Sequence, residues 1–285
     1  MEGKKLNKID LIVIDGQEDF CNPKTGRLFV PGADKDMSRL AAMVRRLGSK
    51  IDAIHATMDS HSPLHIAHPI FWTNLETGEH PNPFTTISLS DLREGVWVTS
   101  RAVDRSRAEK YLEKLEKRSA DAKAAGLGEN VYPLTIWPPH CLIGHTGWCI
   151  VPELHEAFVE WEMEHFRKIH YITKGSNPYT EHYSALKAEV PDAQDPGTQL
   201  NTRFVQMLEE ADIILLAGEA GSHCLLHTVT DVADSFSDAA HIKKFVLLED
   251  ATSAVPGFEQ QQVDFIDRMK KRGMRVSTTT QFLAS

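Results

Sequence analysis

Three reactive side chains in this sequence have the types and surroundings needed for nucleophilic catalysis. Cys224 ends the segment GEAGSHC, between a buried apolar run and an amphipathic helix. A thiol at a helix N-terminus has a lowered pKa, and small residues beside it let backbone N–H groups reach an oxyanion. The same pattern also fits an ordinary strand-to-helix turn that carries a buried cysteine.

Two charged residues could support such a thiol. Asp15 follows the apolar run IDLIVI and opens the segment DGQEDF. A carboxylate there could act as a general base, although aspartate is also common in turns and helix caps. Lys174 ends another strand-like run, and in a polar cleft its ammonium group could stabilise the base or an oxyanion. If Lys174 were exposed in a loop, it would have no such role.

A second group of side chains has metal-binding character. Asp59 and His61 stand two residues apart after a predicted strand, a spacing that points both side chains the same way. His140 follows two prolines, which restrict the backbone. One carboxylate and two imidazoles suit Zn²⁺, Mn²⁺ or Fe²⁺ and leave room for water or substrate. His65 is a possible extra ligand, although His65 and His68 could equally be surface residues.

The elements that must position these residues alternate between strand and helix. Strands are predicted at 9–14, 51–57, 167–173, 213–217, 245–248 and 274–278, and helices at 34–47, 152–164, 198–210, 225–236 and 260–272. This alternation predicts an α/β fold whose mostly parallel sheet carries helices on both faces. Ligands bind such sheets beyond the carboxyl ends of the strands, where all of the candidate residues above are expected to meet.

One stretch interrupts the alternation. The apolar pattern thins between residues 76 and 130, and residues 105–125 are rich in Lys, Glu, Arg and Ala. We expect one domain over residues 1–285 with a helical insertion at about 76–130, the helix being exposed to solvent. The alternatives for this helix are an oligomer contact or a lid.

The charge, the apolar runs and the missing motifs of the sequence disfavour several classes of protein. The net charge of −9 disfavours nucleic-acid binding, and no apolar run is long enough to span a membrane. The polar first eight residues lack the core of a secretory signal, so a cytoplasmic protein with free thiols is expected. The four cysteines form no C-x-x-C pair, and the first strand is not followed by G-x-G-x-x-G, which disfavours a zinc knuckle and a dinucleotide dehydrogenase.

Taken in order, five motifs resemble those of the isochorismatase-like cysteine hydrolases, and among them the nicotinamidases. DGQEDF resembles D-x-Q-x-D-F, whose first aspartate is the catalytic base, and DSHSPLH resembles the metal segment D-x-H-x-x-x-H. WPPHC is similar to W-P-x-H-C, KG followed by YSA resembles K-G…Y-S-[AG], and the Cys224 segment resembles the nucleophile loop. The resemblance covers most of the chain except roughly residues 76–130.

The resemblance implies a Rossmann-like sheet, a homo-oligomer and a small-molecule carboxamide substrate, namely nicotinamide, which is hydrolysed to nicotinate and ammonia in NAD salvage. It implies a cis peptide bond before Ala220. It also implies one divalent metal ion, with Zn²⁺ expected first and Mn²⁺ or Fe²⁺ as alternatives. The implied site consists of the catalytic residues Asp15, Lys174 and Cys224, an oxyanion hole from the N–H groups of Ala220 and Cys224, a ring pocket of Phe20, Trp137 and Tyr183, and the metal ligands Asp59, His61 and His140.

Two departures leave the substrate open. The family's loop usually reads close to G-x-A-T-D-x-C, whereas Gly221 and Ser222 replace its Thr and Asp here, and the insertion lengthens the chain. Another aromatic carboxamide or a carbamoyl compound therefore stays an alternative substrate. A vinyl-ether hydrolase is weakened by the metal motif, and a non-catalytic binding or assembly module would predict an inert Cys224.

Overall fold

A six-stranded parallel sheet forms the centre of the protein, which a computed structural model describes at residues 7–124 and 132–284. The strands are β1 (Ile9–Ile14), β2 (Ala53–Asp59), β3 (Trp72–Asn74), β4 (Thr86–Ile87), β5 (Trp97–Thr99), β6 (Leu134–Thr135), β7 (His170–Lys174), β8 (Ile213–Gly218), β9 (Phe245–Leu248) and β10 (Arg275–Ser277). The strand order of the central sheet is β10-β9-β8-β1-β2-β7, and β3–β5 and β4–β6 form two small antiparallel pairs. The predicted α/β fold with a mostly parallel sheet is confirmed.

Helices cover both faces of the sheet. They are α1 (Glu18–Cys21), α2 (Ala33–Leu47), α3 (Leu89–Glu94), α4 (Arg105–Ala124), α5 (Pro152–His165), α6 (Thr202–Glu209), α7 (Cys224–Ser235) and α8 (Glu259–Arg272). Because alternate residues of a strand point to opposite faces, Leu11 and Val13 pack into one core with α2 and α5, while Ile12 and Ile14 pack into another with α6, α7 and α8. None of the helices described is long and apolar enough to cross a membrane.

Three elements near the candidate site begin or end at residues other than those predicted. Strand β2 continues to Asp59, so this carboxylate ends the strand itself. Strand β7 begins at residue 170 and ends at Lys174, because the charged residues before it are exposed and lie outside the sheet. Helix α6 begins at Thr202, since residues 196–198 form a separate 3-10 turn and the Asn201 side chain accepts a hydrogen bond from the Phe204 N–H.

The inserted helix is present but is not wholly exposed. It occupies Arg105–Ala124 as α4. Residue 125, the last of the predicted helix, and residues 126–130, the end of the predicted insertion, lie outside the described residues. Ala108, Tyr111, Leu112 and Leu115 are buried in the core on the α7 side of the sheet. Their i, i+3, i+4, i+7 spacing forms one apolar face within a charged sequence. The expectation of a solvated helix is therefore wrong for this face.

A buried carboxylate links α4 to α7. Arg118 of α4 donates to the Glu189 carboxylate at 2.6 Å, and His227 of α7 lies 3.2 Å from the same carboxylate. Burial raises the pKa of Glu189, but His227 and Arg118 outweigh this effect and hold its pKa at about 2. Glu189 is therefore an ionised, buried link between α4 and α7.

Candidate active site

The carboxyl ends of neighbouring strands bring the predicted reactive residues together. Asp15 follows β1, and Asp59 and Lys174 are register partners at the ends of β2 and β7. Cys224 is the first residue of α7, after the loop that leaves β8. All four side chains are buried, so their charges interact in an environment from which water is largely excluded.

The Lys174 ammonium group lies at the centre of this cluster. Its Nζ is 2.9 Å from Asp15 Oδ2 and 3.1 Å from Asp59 Oδ1, and it is 3.5 Å from Cys224 Sγ. It also donates to the His182 carbonyl at 3.1 Å. Lys174 therefore joins the thiol, the candidate base and the candidate metal carboxylate.

Lys174 keeps its charge despite its burial. Burial lowers its pKa, but the carboxylates of Asp15 and Asp59 outweigh this effect and hold the pKa well above its ordinary value. For Asp15 the balance is different, since burial raises the pKa more than the neighbouring ammonium lowers it. A carboxylate with a raised pKa is a better proton acceptor, which suits a general base. Thr57 Oγ1 donates to Asp15 Oδ1 at 2.5 Å and fixes the carboxylate.

The Cys224 thiol is not the low-pKa group that its place at a helix N-terminus predicts. Burial raises its pKa well above the usual value, and the negative charge of Asp15 raises it further, while Lys174 only partly compensates. The prediction of a lowered pKa is wrong. The helix N-terminus favours the thiolate, but burial removes the water that would solvate the negative charge, and this second effect is larger. Cys224, a free thiol like the other three cysteines, therefore needs a base to ionise it.

Two backbone donors beside Cys224 are free. The peptide bond between Glu219 and Ala220 is cis, as the resemblance implies. The Ala220 carbonyl accepts from His223 and Leu225, whereas the N–H groups of Ala220 and Cys224 have no hydrogen-bond acceptor within the described ranges. Both residues line the same cavity, so the two donors are available to an oxyanion formed next to the thiol.

Asp59, His61 and His140 have ligand atoms within 4.8 Å of one another. His61 Nδ1 faces the Gly175 carbonyl at 2.9 Å and His140 Nδ1 faces the Pro138 carbonyl at 2.8 Å. A carbonyl can only accept, so each Nδ1 carries a proton and each Nε2 points at Asp59 Oδ2, at 3.0 and 3.2 Å. The two Nε2 atoms and the carboxylate thus converge on one point, and one carboxylate with two imidazoles is a donor set that fits a divalent metal.

His65 does not join this set as the structure stands. Its Nε2 lies 3.2 Å from the Thr180 carbonyl, and its Nδ1 accepts from the Ala67 N–H at 3.2 Å. Both ring nitrogens therefore have backbone partners, although the ring is only 4.4 Å from that of His61. The alternative that His65 and His68 are surface residues is wrong, because both are buried.

A cavity opens directly onto the thiol. Its walls include the three residues of the expected ring pocket, Phe20, Trp137 and Tyr183. Trp137 Nε1 donates to the Tyr183 hydroxyl at 3.1 Å, which fixes two of these walls. Asp59 and His140 also line the cavity, so a ligand here would meet the metal donors and Cys224 together.

Sequence reasoning missed His223 as a lining residue of this cavity, although it precedes Cys224 directly. Burial lowers its pKa to about 3, so the ring is neutral. Its Nδ1 lies 2.9 Å from Ser222 Oγ, which also accepts from the Val255 N–H. Ser222, one of the two residues that differ from the usual nicotinamidase loop, therefore orients the imidazole beside Cys224.

The first motif also contains residues whose role is to hold the site together. Gln17 accepts from the Asp59 N–H at 2.7 Å, and its amide donates to the carbonyls of Asp59 and Trp148, both at 2.8 Å. Asp19 accepts from the Cys141 N–H at 2.7 Å, next to His140. The sequence indicated a role only for Asp15 of this motif. The structure shows that Gln17 positions Asp59 and that Asp19 positions the segment of His140, two members of the candidate metal donor set.

Comparison with known proteins shows which solved structures share this architecture. No protein-family model matches the chain, and no curated protein matches it. Solved structures do match: the yeast nicotinamidase Pnc1p bound to the inhibitor nicotinaldehyde has 18% identity and a TM-score of 0.63, over 95% of this chain and 99% of that one. The chain has the fold of the nicotinamidases.

Two further nicotinamidase-type structures agree in extent. PnC1 from L. infantum in complex with nicotinate has 20% identity and a TM-score of 0.56, over 96% of this chain and 94% of that one. The pyrazinamidase of Pyrococcus horikoshii in complex with zinc has 20% identity and a TM-score of 0.55, over 95% and 99%. The similarity therefore extends over nearly the whole nicotinamidase fold, and the resemblance seen in the motifs is confirmed at the level of the fold.

Proposed function

We propose that this chain is a metal-dependent cysteine amidohydrolase and that nicotinamide is its substrate. The observation that carries the proposal is the position of Lys174, 2.9 Å from the Asp15 carboxylate and 3.5 Å from the Cys224 sulfur, beside two free N–H groups. A nucleophile, a base and oxyanion donors around one cavity are the parts that acyl transfer requires.

In the first half-reaction Asp15 takes the proton of the Cys224 thiol, and the thiolate attacks the carboxamide carbon. The negative charge passes to the carboxamide oxygen, which the N–H groups of Ala220 and Cys224 stabilise by about 3–4 kcal/mol per donor. When the tetrahedral intermediate collapses, the C–N bond breaks and Asp15 returns its proton to the nitrogen. Ammonia leaves, and the acyl group stays on sulfur as a thioester.

In the second half-reaction Asp15 accepts a proton from water, and the resulting hydroxide attacks the thioester carbonyl. The same two N–H groups hold the oxyanion. The C–S bond breaks, the proton returns from Asp15 to the Cys224 sulfur, and the carboxylic acid leaves. Throughout, Lys174 stays charged and orients the base.

Asp59, His61 and His140 would hold a divalent metal, which would bind a ring nitrogen of the substrate directly or through water and so orient the ring. Zn²⁺ suits one carboxylate and two imidazoles, and Mn²⁺ or Fe²⁺ suits them too. The aromatic walls Phe20, Trp137 and Tyr183 would pack against the ring. This part of the proposal is supported by the ligands of the similar structures, which are nicotinaldehyde, nicotinate and zinc.

The test is ammonia release from nicotinamide by purified protein, with chelator-treated and metal-restored samples beside it. Release that stops on chelation and returns with metal supports both the activity and the metal site. No release from nicotinamide together with release from another member of a carboxamide panel would keep the amidohydrolase and change the substrate. No release from any carboxamide by metal-loaded protein would contradict the proposal.

A further inference from the structure

One charged side chain of the active cavity has no part in the proposed reaction. Glu181 lines this cavity together with Asp59 and His140, and none of the roles assigned above belongs to it. Only 5% of its surface is exposed. A carboxylate buried to this extent costs free energy unless other groups interact with it, so its surroundings indicate what it does.

One oxygen of the Glu181 carboxylate is held by the protein and the other is free. Oε1 accepts from the His182 N–H at 2.9 Å. Oε2 accepts no hydrogen bond from the part of the chain that the structure describes. Unlike His182 Nε2, which is fully buried without a partner, Oε2 keeps surface that a water molecule can touch. Because Glu181 is otherwise buried and lines the active cavity, this surface faces the cavity.

The free oxygen lies on the side of the cavity that holds the candidate metal site. The carbonyl of the next residue, His182, accepts from Lys174 Nζ at 3.1 Å, and the same ammonium group lies 3.1 Å from Asp59. Burial raises the pKa of the Glu181 carboxyl, and among charged groups His61, which lowers this pKa, and Asp59, which raises it, act most strongly. Such effects weaken with distance, so the carboxylate lies near the metal donor set.

Glu181 is near the donor set without belonging to it. The ligand atoms of Asp59, His61 and His140 lie within 4.8 Å of one another, and no oxygen of Glu181 joins them at that distance. Direct coordination would therefore require the side chain to move, whereas a water molecule can bridge the gap. A divalent metal with three protein ligands keeps a position for water, and an anionic oxygen is a good acceptor for that water.

We propose that Glu181 positions the metal by accepting a hydrogen bond, through Oε2, from a water molecule bound to it. The inference rests on the metal site of the proposed function and adds to it a second carboxylate that acts through water. Groups that hold a metal's ligands in this way typically contribute about 10–100-fold to metal affinity. Glu181 is therefore a positioning residue, and its loss acts on turnover through the metal.

The experiment measures the affinity of the metal-free full chain for Zn²⁺ by competition with a chromophoric chelator. The test variants are Glu181→Gln, which keeps the size of the side chain, and Glu181→Ala. The control is Glu189→Gln. Glu189 is also a buried carboxylate, and its N–H donates to the Glu181 carbonyl at 2.8 Å, but its carboxylate pairs with Arg118 and His227. Melting temperatures show whether each variant is folded.

A second readout separates a contact with bound water from a general loss of structure. Each protein is loaded with Co²⁺, and its visible absorption is followed against pH, because the spectrum changes when a water molecule on the metal loses its proton. A negative charge beside that water keeps it protonated. Removing the charge of Glu181 should therefore move the spectral transition to lower pH, which a loss of structure would not do.

We expect both Glu181 variants to bind Zn²⁺ about 10–100-fold more weakly than the wild type, and Glu189→Gln to bind it as the wild type does. Wild-type affinity in both test variants, an equal loss in the control, or an unmoved spectral transition would overturn the inference. A raised KM for nicotinamide at unchanged metal affinity would overturn it too, since Glu181 would then contact the substrate. If the wild type bound no Zn²⁺, the proposed metal site would fail as well, while ammonia release would still test the amidohydrolase separately.

Discussion

Replacing Asp15 with asparagine should change the ionisation of Cys224 and the turnover in opposite directions. The substitution keeps the shape of the side chain and removes its charge and its basicity. The thiol in the wild type is neutral because burial and the Asp15 charge raise its pKa, with Lys174 acting against them. In Asp15→Asn the raising effect of the Asp15 charge disappears, while the Lys174 ammonium remains 3.5 Å from the sulfur.

The size of the effect follows from the distances. The sulfur and the Asp15 oxygen lie 3.5 Å and 2.9 Å from the same nitrogen, so they are no more than about 6.4 Å apart. At an effective dielectric constant of about 20, two charges at that distance interact by about 2–3 kcal/mol. Removing the charge should therefore favour the thiolate by one to two orders of magnitude, while loss of the general base should lower kcat by about 10²–10⁴.

The assay combines two measurements on the same variant. The rate of Cys224 alkylation by iodoacetamide is followed against pH, with labelling assigned by peptide mass spectrometry, and ammonia release is followed in parallel. We expect alkylation to begin at lower pH in Asp15→Asn than in the wild type, with turnover nearly lost. An unchanged or higher alkylation midpoint, or retained turnover, would refute the reasoning that Asp15 is both the base and the charge that suppresses the thiolate.

Three further predictions concern the metal, the framework and stability against pH. His140→Ala should lose most of its bound divalent metal, as measured by elemental analysis, and should no longer release ammonia. Its Cys224 thiol should still be alkylated. Full metal content would argue against His140 as a ligand. Gln17→Ala should lower the free energy of unfolding in urea by about 3 kcal/mol, because the buried Gln17 side chain loses three hydrogen bonds. The exposed Gln206→Ala is the control, and equal stability of the two variants would contradict this role. Glu189 has a pKa of about 2, below its ordinary 4.5, so its contribution of up to about 3 kcal/mol is complete above pH 4.5 and is lost as the pH falls toward 2. The stability difference between wild type and Glu189→Gln should therefore shrink below pH 4.5, while the exposed Glu79→Gln shows little difference at any pH; a constant difference for Glu189→Gln would contradict the assignment.

The sequence predicted the position of the site because the physics that places it is local. Short apolar runs form buried strands, and Asp15, Asp59 and Lys174 each stand at the end of one. In a parallel sheet such ends meet at one edge, whatever the remaining details of the chain. The alternation of strands and helices could be predicted for the same reason.

Properties that depend on tertiary burial and on the pairing of distant strands could not be predicted from the sequence. The raised pKa of Cys224 follows from complete burial among charged neighbours, which a helix-terminus argument does not include. The link from Lys174 to Asp59 depends on the pairing of β2 with β7, two strands about 110 residues apart in sequence. The buried face of α4 was hidden by its charged composition, although Tyr111 and Leu115 have the right spacing to form it.

The central claim, covalent catalysis by Cys224, is tested most directly by trapping the acyl-enzyme. Metal-loaded protein is mixed with nicotinamide, quenched in acid during turnover and digested for peptide mass spectrometry. We predict a nicotinoyl thioester on the peptide that contains Cys224, absent from Cys224→Ala and from protein quenched before mixing. Steady ammonia release with no acylated Cys224 peptide, or turnover retained in Cys224→Ala, would contradict the claim.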